Sequence, residues 1–287
     1  MRWSRLQAIA VESLQRSGIA APSADARWLA QHLLGVDQIG LLTAADPSPE
    51  QIEAYAALVA RRAAHEPLQH IVGWAPFRGL RIAVGPGVFV PRPETESVAQ
   101  TAIEILREMT PQHPDGLRWV ELCAGTGAIT ASVLLEVPRV RGWAVEKHEA
   151  ACAWTRRNLA GTGAVVVCQD MADALGDLDG SVDVVVANPP YIPWCDLEHL
   201  PEEVVAYDPH TALFADDDGC ADIAMVIATA ARLLRAGGAV VIEHGDDQQQ
   251  RVLRMLGAAD FEEPTGHRDL AGRPRHVSAR RVPVLGG

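Results

Sequence analysis

Asn188-Pro189-Pro190-Tyr191 closes an apolar run, Val182, Val184, Val185, Val186 and Ala187, and the two together decide the fold. A short β-branched run of this kind reads as a strand buried on both faces, the usual state of a strand in a parallel sheet. Open α/β sheets build ligand sites at the carboxyl ends of their strands, and here a polar amide stands at that end. The two prolines lack N–H donors and stiffen the turn, so the backbone offers carbonyl acceptors with little competing donation. Tyr191 adds a flat face. Such a pocket suits a planar group carrying –NH2, with acceptors for its two hydrogens and a ring for its π-face.

Working outward, the pattern from residue 115 alternates strand and helix. It predicts strands near 118–122, 141–145, 164–168, 182–187 and 238–243, with helices near 127–136, 148–160, 219–236 and 246–257. A last pair of strands is expected near 260–264 and 275–282. Alternation of this sort implies an α/β fold with a mostly parallel sheet covered on both faces. Ahead of it the chain reads as three short helices. Trp3, Leu6, Ile9, Ala10 and Leu14 recur at helical spacing, and Trp28, Leu29 and Leu33 mark a second helix. The third opens on Ser48-Pro49-Glu50-Gln51, a capping-box arrangement, and continues with Ile52, Tyr55, Ala56 and Val59. So small a bundle is expected to present or bind something rather than to catalyse. Between Pro67 and Val90, the β-like runs Gln69–Val72, Leu80–Val84 and Val88–Val90 predict a hairpin-like connector. Pro91-Arg92-Pro93-Glu94-Thr95-Glu96 then leads into a helix carrying Val98, Ala102, Ile103 and Leu106.

A chain of 287 residues predicts one large domain and a smaller one. No apolar stretch is long enough to span a membrane, and Met1-Arg2-Trp3-Ser4-Arg5 does not lead into a signal core, so a cytoplasmic protein is expected. Five scattered cysteines without a C-x-x-C pair fit reduced thiols better than disulfides or zinc. The formal net charge is −12, and Lys147 is the single lysine. Direct nucleic-acid binding is therefore not expected. His65 and His70 flank Pro67 and cannot share a helical face, and Asp216-Asp217-Asp218 lacks the further acid of a calcium loop, so no metal site is expected.

Three further segments carry chemistry. Glu121-Leu122-Cys123-Ala124-Gly125-Thr126-Gly127-Ala128-Ile129 ends one strand and starts a helix, where glycines permit a sharp turn and close approach of a ligand to backbone N–H groups. Glu146 follows the second strand, where a carboxylate can accept hydrogen bonds from ribose hydroxyls. Asp170 follows the third and can meet an adenine edge, with Met171 able to pack on the ring. A dinucleotide dehydrogenase would share these marks. Against it, the third glycine is absent and residues 188–191 offer no hydride-transfer chemistry.

Asn-Pro-Pro-Tyr at the end of the fourth strand resembles the signature of class I S-adenosylmethionine-dependent methyltransferases that act on planar nitrogens. That resemblance implies a Rossmann-like, seven-stranded, mostly parallel sheet with a reversed last strand. Pro67-Leu68-Gln69-His70-Ile71-Val72-Gly73, Phe77-Arg78-Gly79 and Val90-Pro91-Arg92-Pro93-Glu94-Thr95-Glu96 resemble the connector of the protein-(glutamine-N5) methyltransferases of peptide-chain release factors, the PrmC/HemK family. Tyr207-Asp208-Pro209-His210-Thr211-Ala212-Leu213, Glu243-His244-Gly245 and Arg268-Asp269-Leu270 are also similar to it.

The resemblance implies a helical bundle at 1–66 that binds the substrate protein, a β-hairpin connector at 67–92 and a catalytic domain at 93–287. It further implies a monomer acting on class-1 release factors at the glutamine of their Gly-Gly-Gln loop. Cys123, Ala124, Gly125, Thr126 and Gly127 would hold the methionine part of S-adenosylmethionine, Glu146 the ribose, and Asp170 with Met171 the adenine, and Glu121 is also counted among the cofactor-binding residues. Asn188 would touch both cofactor and substrate, with Pro189, Pro190 and Tyr191 completing the substrate pocket; Asn188, Pro189 and Tyr191 are the expected catalytic residues. Glu121 and Cys123 depart from the family's usual Asp and first Gly. The Arg92/Glu94/Glu96 cluster reads as an interdomain brace or a contact to the cofactor region, and the brace is the favoured expectation. Rival readings are a methyltransferase acting on a ribosomal-protein glutamine, one acting on adenine N6 or guanine N2, and a non-catalytic module that keeps the fold.

Overall fold

Helical spacing governs the first part of the chain. In the computed structural model, which describes residues 2–283, α1 (Trp3–Arg16) buries Trp3, Leu6, Ala10 and Leu14 on one face. Helix α2 (Pro22–Leu34) starts on a proline and ends on the left-handed Gly35, and α3 (Gln38–Thr43) is capped by Asp37, which accepts the Gly40 N–H at 2.7 Å. Both bonds of the capping box form at α4 (Pro49–Ala63): Ser48 Oγ accepts the Gln51 N–H, and Gln51 Oε1 accepts the Ser48 N–H. Trp3 meets the Tyr55 ring edge-on, and the Tyr55 hydroxyl donates to the Ala26 carbonyl at 2.8 Å.

Gln69–Val72, expected as a β-like run, is instead helix α5 (Leu68–Val72). Pro67 precedes its first turn, Gly73 ends it in the left-handed region, and Leu68, Ile71 and Val72 all bury into the helical core. A run this short has no period of its own, so packing decides its form. The same holds for α3, whose six residues carry no helical period. The helical unit comprises residues up to Trp74 together with Pro201–Tyr207, which contain the short helix α9 (Glu202–Tyr207).

The second unit takes in Ala75–Leu200 and the chain from Asp208 onward. Strands β1 (Trp74–Phe77) and β2 (Leu80–Ala83) pair as a hairpin across Arg78-Gly79, both with positive φ (46° and 77°), as a type I′ turn requires. Val88 and Val90 are buried but not in a strand. The hairpin turn is anchored to α6 (Thr95–Met109): Glu96 Oε1 accepts the Arg78 N–H at 3.0 Å, and Arg78 Nη2 donates to Gln100 Oε1 at 2.8 Å. Arg92, expected as an interdomain brace, pairs with Asp208 inside this same unit.

The remaining elements are β3 (Leu117–Leu122), α7 (Ala128–Glu136), β4 (Val140–Glu146), α8 (Glu149–Asn158), β5 (Val165–Cys168), β6 (Val182–Ala187), β7 (Ile192–Pro193), β8 (Phe214–Ala215), a single turn α10 (Asp216–Gly219), α11 (Ala221–Leu233), β9 (Leu234–Glu243), α12 (Gln249–Ala258), β10 (Phe261–Arg268) and β11 (Pro274–Arg281). Seven strands form one sheet in the order β10-β11-β9-β6-β3-β4-β5. Strand β11 runs antiparallel between β9 and β10, which is the reversed last strand, and the other pairings from β9 to β5 are parallel. Val184 and Val186 pack toward α6 and α7, while Val185 and Ala187 pack toward α11 and α12, so both faces of the sheet are covered. Strand β9 begins at Leu234, earlier than expected, because Arg235 finds a partner: its Nε donates to Asp183 Oδ1 at 2.6 Å, beside a register shift in β6.

Candidate active site

Register brings the carboxyl ends of the parallel strands level. Leu122 lies opposite Val145 and Ala187, Ala187 opposite Ile242, and Glu146 opposite Cys168. Residues that follow these ends therefore share one edge of the sheet, where Cys123, Glu146, Asp170, Asn188 and Glu243 all emerge.

The turn after β3 takes left-handed φ values at Cys123 (55°), Gly125 (53°) and Gly127 (75°). Ala124 N–H donates to the Val145 carbonyl, Thr155 Oγ1 donates to the Gly125 carbonyl at 2.7 Å, and Asn158 Nδ2 donates to the Thr126 carbonyl at 3.0 Å. The two glycines differ in surroundings. A Cβ on Gly125 would meet nothing within 4 Å, whereas one on Gly127 would lie 3.1 Å from Thr155 Cγ2 and 3.2 Å from Leu159 Cδ1. Gly125 thus faces the open side, and Gly127 is packed on α8.

Glu121 points the other way. Its carboxylate is buried, and Oε2 accepts the Thr130 N–H in the first turn of α7 at 2.9 Å, so it supports the turn from beneath. Burial pushes its pKa up to about 8, although hydrogen bonding at Thr130 pulls it down. Glu146 is also buried and accepts two backbone bonds, from Gly125 N–H on Oε2 and His148 N–H on Oε1, each 2.8 Å. Each oxygen keeps a second lone pair for a ligand hydroxyl. Asp170 forms an ion pair with Lys147 at 2.7 Å, which holds its carboxyl below the usual range. Met171 is buried, with its sulfur 3.9 Å from the Cys123 thiol, so the turns after β3 and β5 meet.

Asn188 is half-buried, and its Nδ2 donates to Thr95 Oγ1 at 3.3 Å. Tyr191 turns its hydroxyl to Glu243 Oε1 at 3.2 Å, and burial raises its pKa. Its carbonyl accepts from Gln248 Nε2 at 2.8 Å, and its N–H donates to the Leu213 carbonyl, which leaves the Asn-Pro-Pro-Tyr turn tied at its far end. Trp194, just beyond, stacks on Phe214 at 4.5 Å between ring centres.

Thr95, Glu243, Gln248 and Lys147 are the residues around this edge that sequence reasoning did not assign to the site. Glu243 carried a readable signal, a carboxylate closing the buried run Ala239, Val240, Val241 and Ile242 just as Asn188 closes its own.

The donor set suits S-adenosylmethionine. The open face over Gly125 leaves room for a ligand against the backbone, the remaining lone pairs of Glu146 can accept from ribose hydroxyls, and Asp170 can accept from an exocyclic amine. Lys147, a cation at this edge, is paired with Asp170.

Comparison with known proteins agrees with this chemistry. A family model described as the PrmC N-terminal domain matches residues 5–73, and one described as the methyltransferase small domain matches residues 80–197. A release factor glutamine methyltransferase of Mycolicibacterium smegmatis is 44% identical, covering 95% of each chain. One of Streptomyces coelicolor is 46% identical over 95% of this chain and 96% of that one. A 4-amino-L-phenylalanine/4-methylamino-L-phenylalanine methyltransferase of Streptomyces pristinaespiralis is 39% identical over 94% of this chain and 88% of that one. With full-length identity at this level and both of its units matched, the chain belongs to the release factor glutamine methyltransferase family.

Proposed function

We propose that this protein transfers a methyl group from S-adenosylmethionine to N5 of the glutamine side chain in the Gly-Gly-Gln loop of class-1 peptide-chain release factors, acting in the cytoplasm. The observation that carries the reading is the orientation of Asn188. Its Nδ2 is taken up by Thr95, so its Oδ1 is turned away from that contact and left to accept a hydrogen bond.

Bound S-adenosylmethionine supplies an electrophilic methyl on a sulfonium. The turn at Cys123–Gly127 holds the methionine end, Glu146 the ribose, and Asp170 with Met171 the adenine, while Glu121 supports the turn from below. An amide nitrogen is a poor nucleophile because its lone pair is delocalised into the carbonyl. Asn188 Oδ1 and the Pro189 carbonyl accept its two N–H bonds, aim the nitrogen and stabilise positive charge as it develops there. Pro190 stiffens the turn, and Tyr191 packs on the amide plane and excludes water. Alignment of this kind can supply ~7–11 kcal/mol. The methyl leaves sulfur as the N–C bond forms, releasing S-adenosylhomocysteine, and the N-protonated amide is acidic enough to give its extra proton to water, so no strong general base is needed. The helical unit grips the release factor.

A second reading comes from the Streptomyces pristinaespiralis relative, whose name places its acceptor nitrogen on an aromatic ring. An arylamine is also planar with two N–H bonds, and the same acceptors would serve it. The test is one assay: labelled S-adenosylmethionine with a release factor, a ribosomal protein, free 4-amino-L-phenylalanine and DNA in parallel, then mass-spectrometric mapping, with Asn188→Ala as control. Label confined to the release-factor glutamine, and lower by about a hundredfold in the variant, is the expected result. Label on the free amino acid alone replaces the substrate, and label on DNA alone replaces the substrate class.

A further inference from the structure

At the tip of the hairpin that joins β10 to β11, Leu270 is 92% exposed, more than any other large apolar side chain among the described residues. A single exposed leucine is ordinary. This one differs in how firmly its turn is held. Asp269 Oδ1 accepts the N–H groups of Ala271 at 2.9 Å and Arg273 at 3.0 Å, its own N–H donates to the Arg273 carbonyl, and its carbonyl accepts from Gly272. The Arg275 guanidinium lies 3.6 Å from the other carboxylate oxygen, and both side chains are buried. Such a pair is costly to desolvate, and here it orders a turn whose largest apolar side chain stays in solvent.

The tip stands beside the acceptor turn. His276 lies opposite Glu243, and Ala187 lies opposite Ile242, so Asn188 comes level with Glu243. Strand β11 runs antiparallel to β9, so the chain before His276 extends past the edge of the sheet that carries Asn188. By strand geometry the hairpin rises roughly 7 Å beyond that level before it turns, about 10 Å to the side because β9 intervenes. Hydrogen bonds join the two places. The His244 N–H donates to the Arg275 carbonyl at 2.9 Å, and Arg275 Nη2 donates to Asp246. Gln248 Oε1 then accepts the Gly245 N–H at 2.8 Å, and Gln248 Nε2 donates to the Tyr191 carbonyl at 2.8 Å. The segment 244–248 thus fixes the hairpin against the far end of the Asn-Pro-Pro-Tyr turn.

Resting on the reading that the acceptor glutamine belongs to a release factor, we propose that the β10–β11 hairpin tip is a docking post for that protein, with Leu270 entering an apolar hollow beside its Gly-Gly-Gln loop. Size selects this occupant. A small acceptor held at Asn188 stops short of the tip. A protein partner covers about 800 Å² of surface, a disc ~16 Å in radius, so one centred on Asn188 takes in the hairpin. A post held rigid before binding also loses little freedom when the partner arrives.

The experiment uses the full-length protein, unsubstituted and as Leu270→Asp, Leu270→Ala and Leu270→Met. It measures kcat and KM with a release factor, affinity for S-adenosylhomocysteine, the melting temperature, and the 13C-methyl signals of Leu270 as release factor is added. Leu270→Asp should raise KM by about tenfold or more with kcat, cofactor affinity and melting temperature held. Leu270→Ala should raise it less, and Leu270→Met should keep it near the original value. The Leu270 methyl signals should shift when the release factor binds. An unchanged KM in Leu270→Asp, or methyl signals that do not move at saturating release factor, would overturn the proposal, as would a loss confined to kcat or cofactor affinity. Should the unsubstituted protein methylate a different protein, the functional reading fails, and the same KM comparison with that protein overturns or upholds the post. Methylation of a free amino acid alone would remove both.

Discussion

Arg62 and Glu203 are joined by a 2.7 Å bond from Nη1 to Oε2, although 141 residues separate them in the chain. Arg62 Nε also donates to Asp25 at 2.7 Å, and Tyr207 Oη donates to the Ala64 carbonyl at 3.1 Å. These bonds fasten Pro201–Tyr207, which follows the Asn188–Tyr191 turn in sequence, into the helical unit. Burial alone would lower the Arg62 pKa, but the hydrogen bonds and charges of Asp25 and Glu203 outweigh it and leave the guanidinium firmly charged.

Removing Arg62 leaves the Asp25 carboxylate buried without its cation. Arg62→Ala should destabilise the helical unit by about 3 kcal/mol, read from chemical denaturation followed by tryptophan emission. A loss below about 1 kcal/mol would show that water replaces the guanidinium at little cost.

Gly125 and Gly127 should separate binding from stability. A methyl at Gly125 enters open space, so Gly125→Ala should cost the fold only about 1–2 kcal/mol of left-handed strain while weakening S-adenosylhomocysteine binding by at least tenfold. Gly127→Ala carries the same strain and presses on Thr155 and Leu159, so its melting temperature should fall further. Calorimetric binding and thermal melts of both variants check the contrast.

Cys123 occupies a left-handed position (φ 55°) that a glycine adopts freely. Cys123→Gly removes ~1–2 kcal/mol of strain and adds ~0.5–1 kcal/mol of unfolded-chain entropy. The net change should lie between zero and about 1.5 kcal/mol of stabilisation, with cofactor affinity retained. A clear destabilisation would mean that the Cys123 contact with Met171 contributes more than the strain removes.

Glu121 should impose a pH dependence on stability. Its carboxyl holds a proton to about 8 in the folded protein, whereas the unfolded chain releases it near the model value of 4.5. The folded state therefore binds more protons within that window, and stability falls as pH rises through it. Glu243, raised to about 7, acts in the same direction. Glu121→Gln keeps an acceptor for the Thr130 N–H and should flatten the decline. Urea denaturation from about pH 5 to about pH 9 measures the slope, and identical slopes in both proteins would refute the assignment.

Local patterns made much of the fold legible. Val182–Ala187, the glycine turn and the Ser48 capping box each act over a few neighbouring residues, so their outcome is written where they stand. The amide at 188 is placed by the strand before it, and a strand's end is a local property. Single-turn elements escaped, as α5 shows, because five residues carry no period and their form is decided by what they bury against.

The sequence by itself determined the strand and helix order, the chemistry at the carboxyl edge of the sheet and the family to which the chain belongs. Tertiary structure alone decided that Thr95 meets Asn188, that Glu243 lies under Tyr191, that Glu121 faces α7 rather than the open side of the turn, and that Pro201–Tyr207 joins the helices. Each of these is a contact between residues far apart in the chain or a choice between two faces. Hydrogen-bond reach and burial settle such matters only after the backbone has brought the partners within about 3 Å.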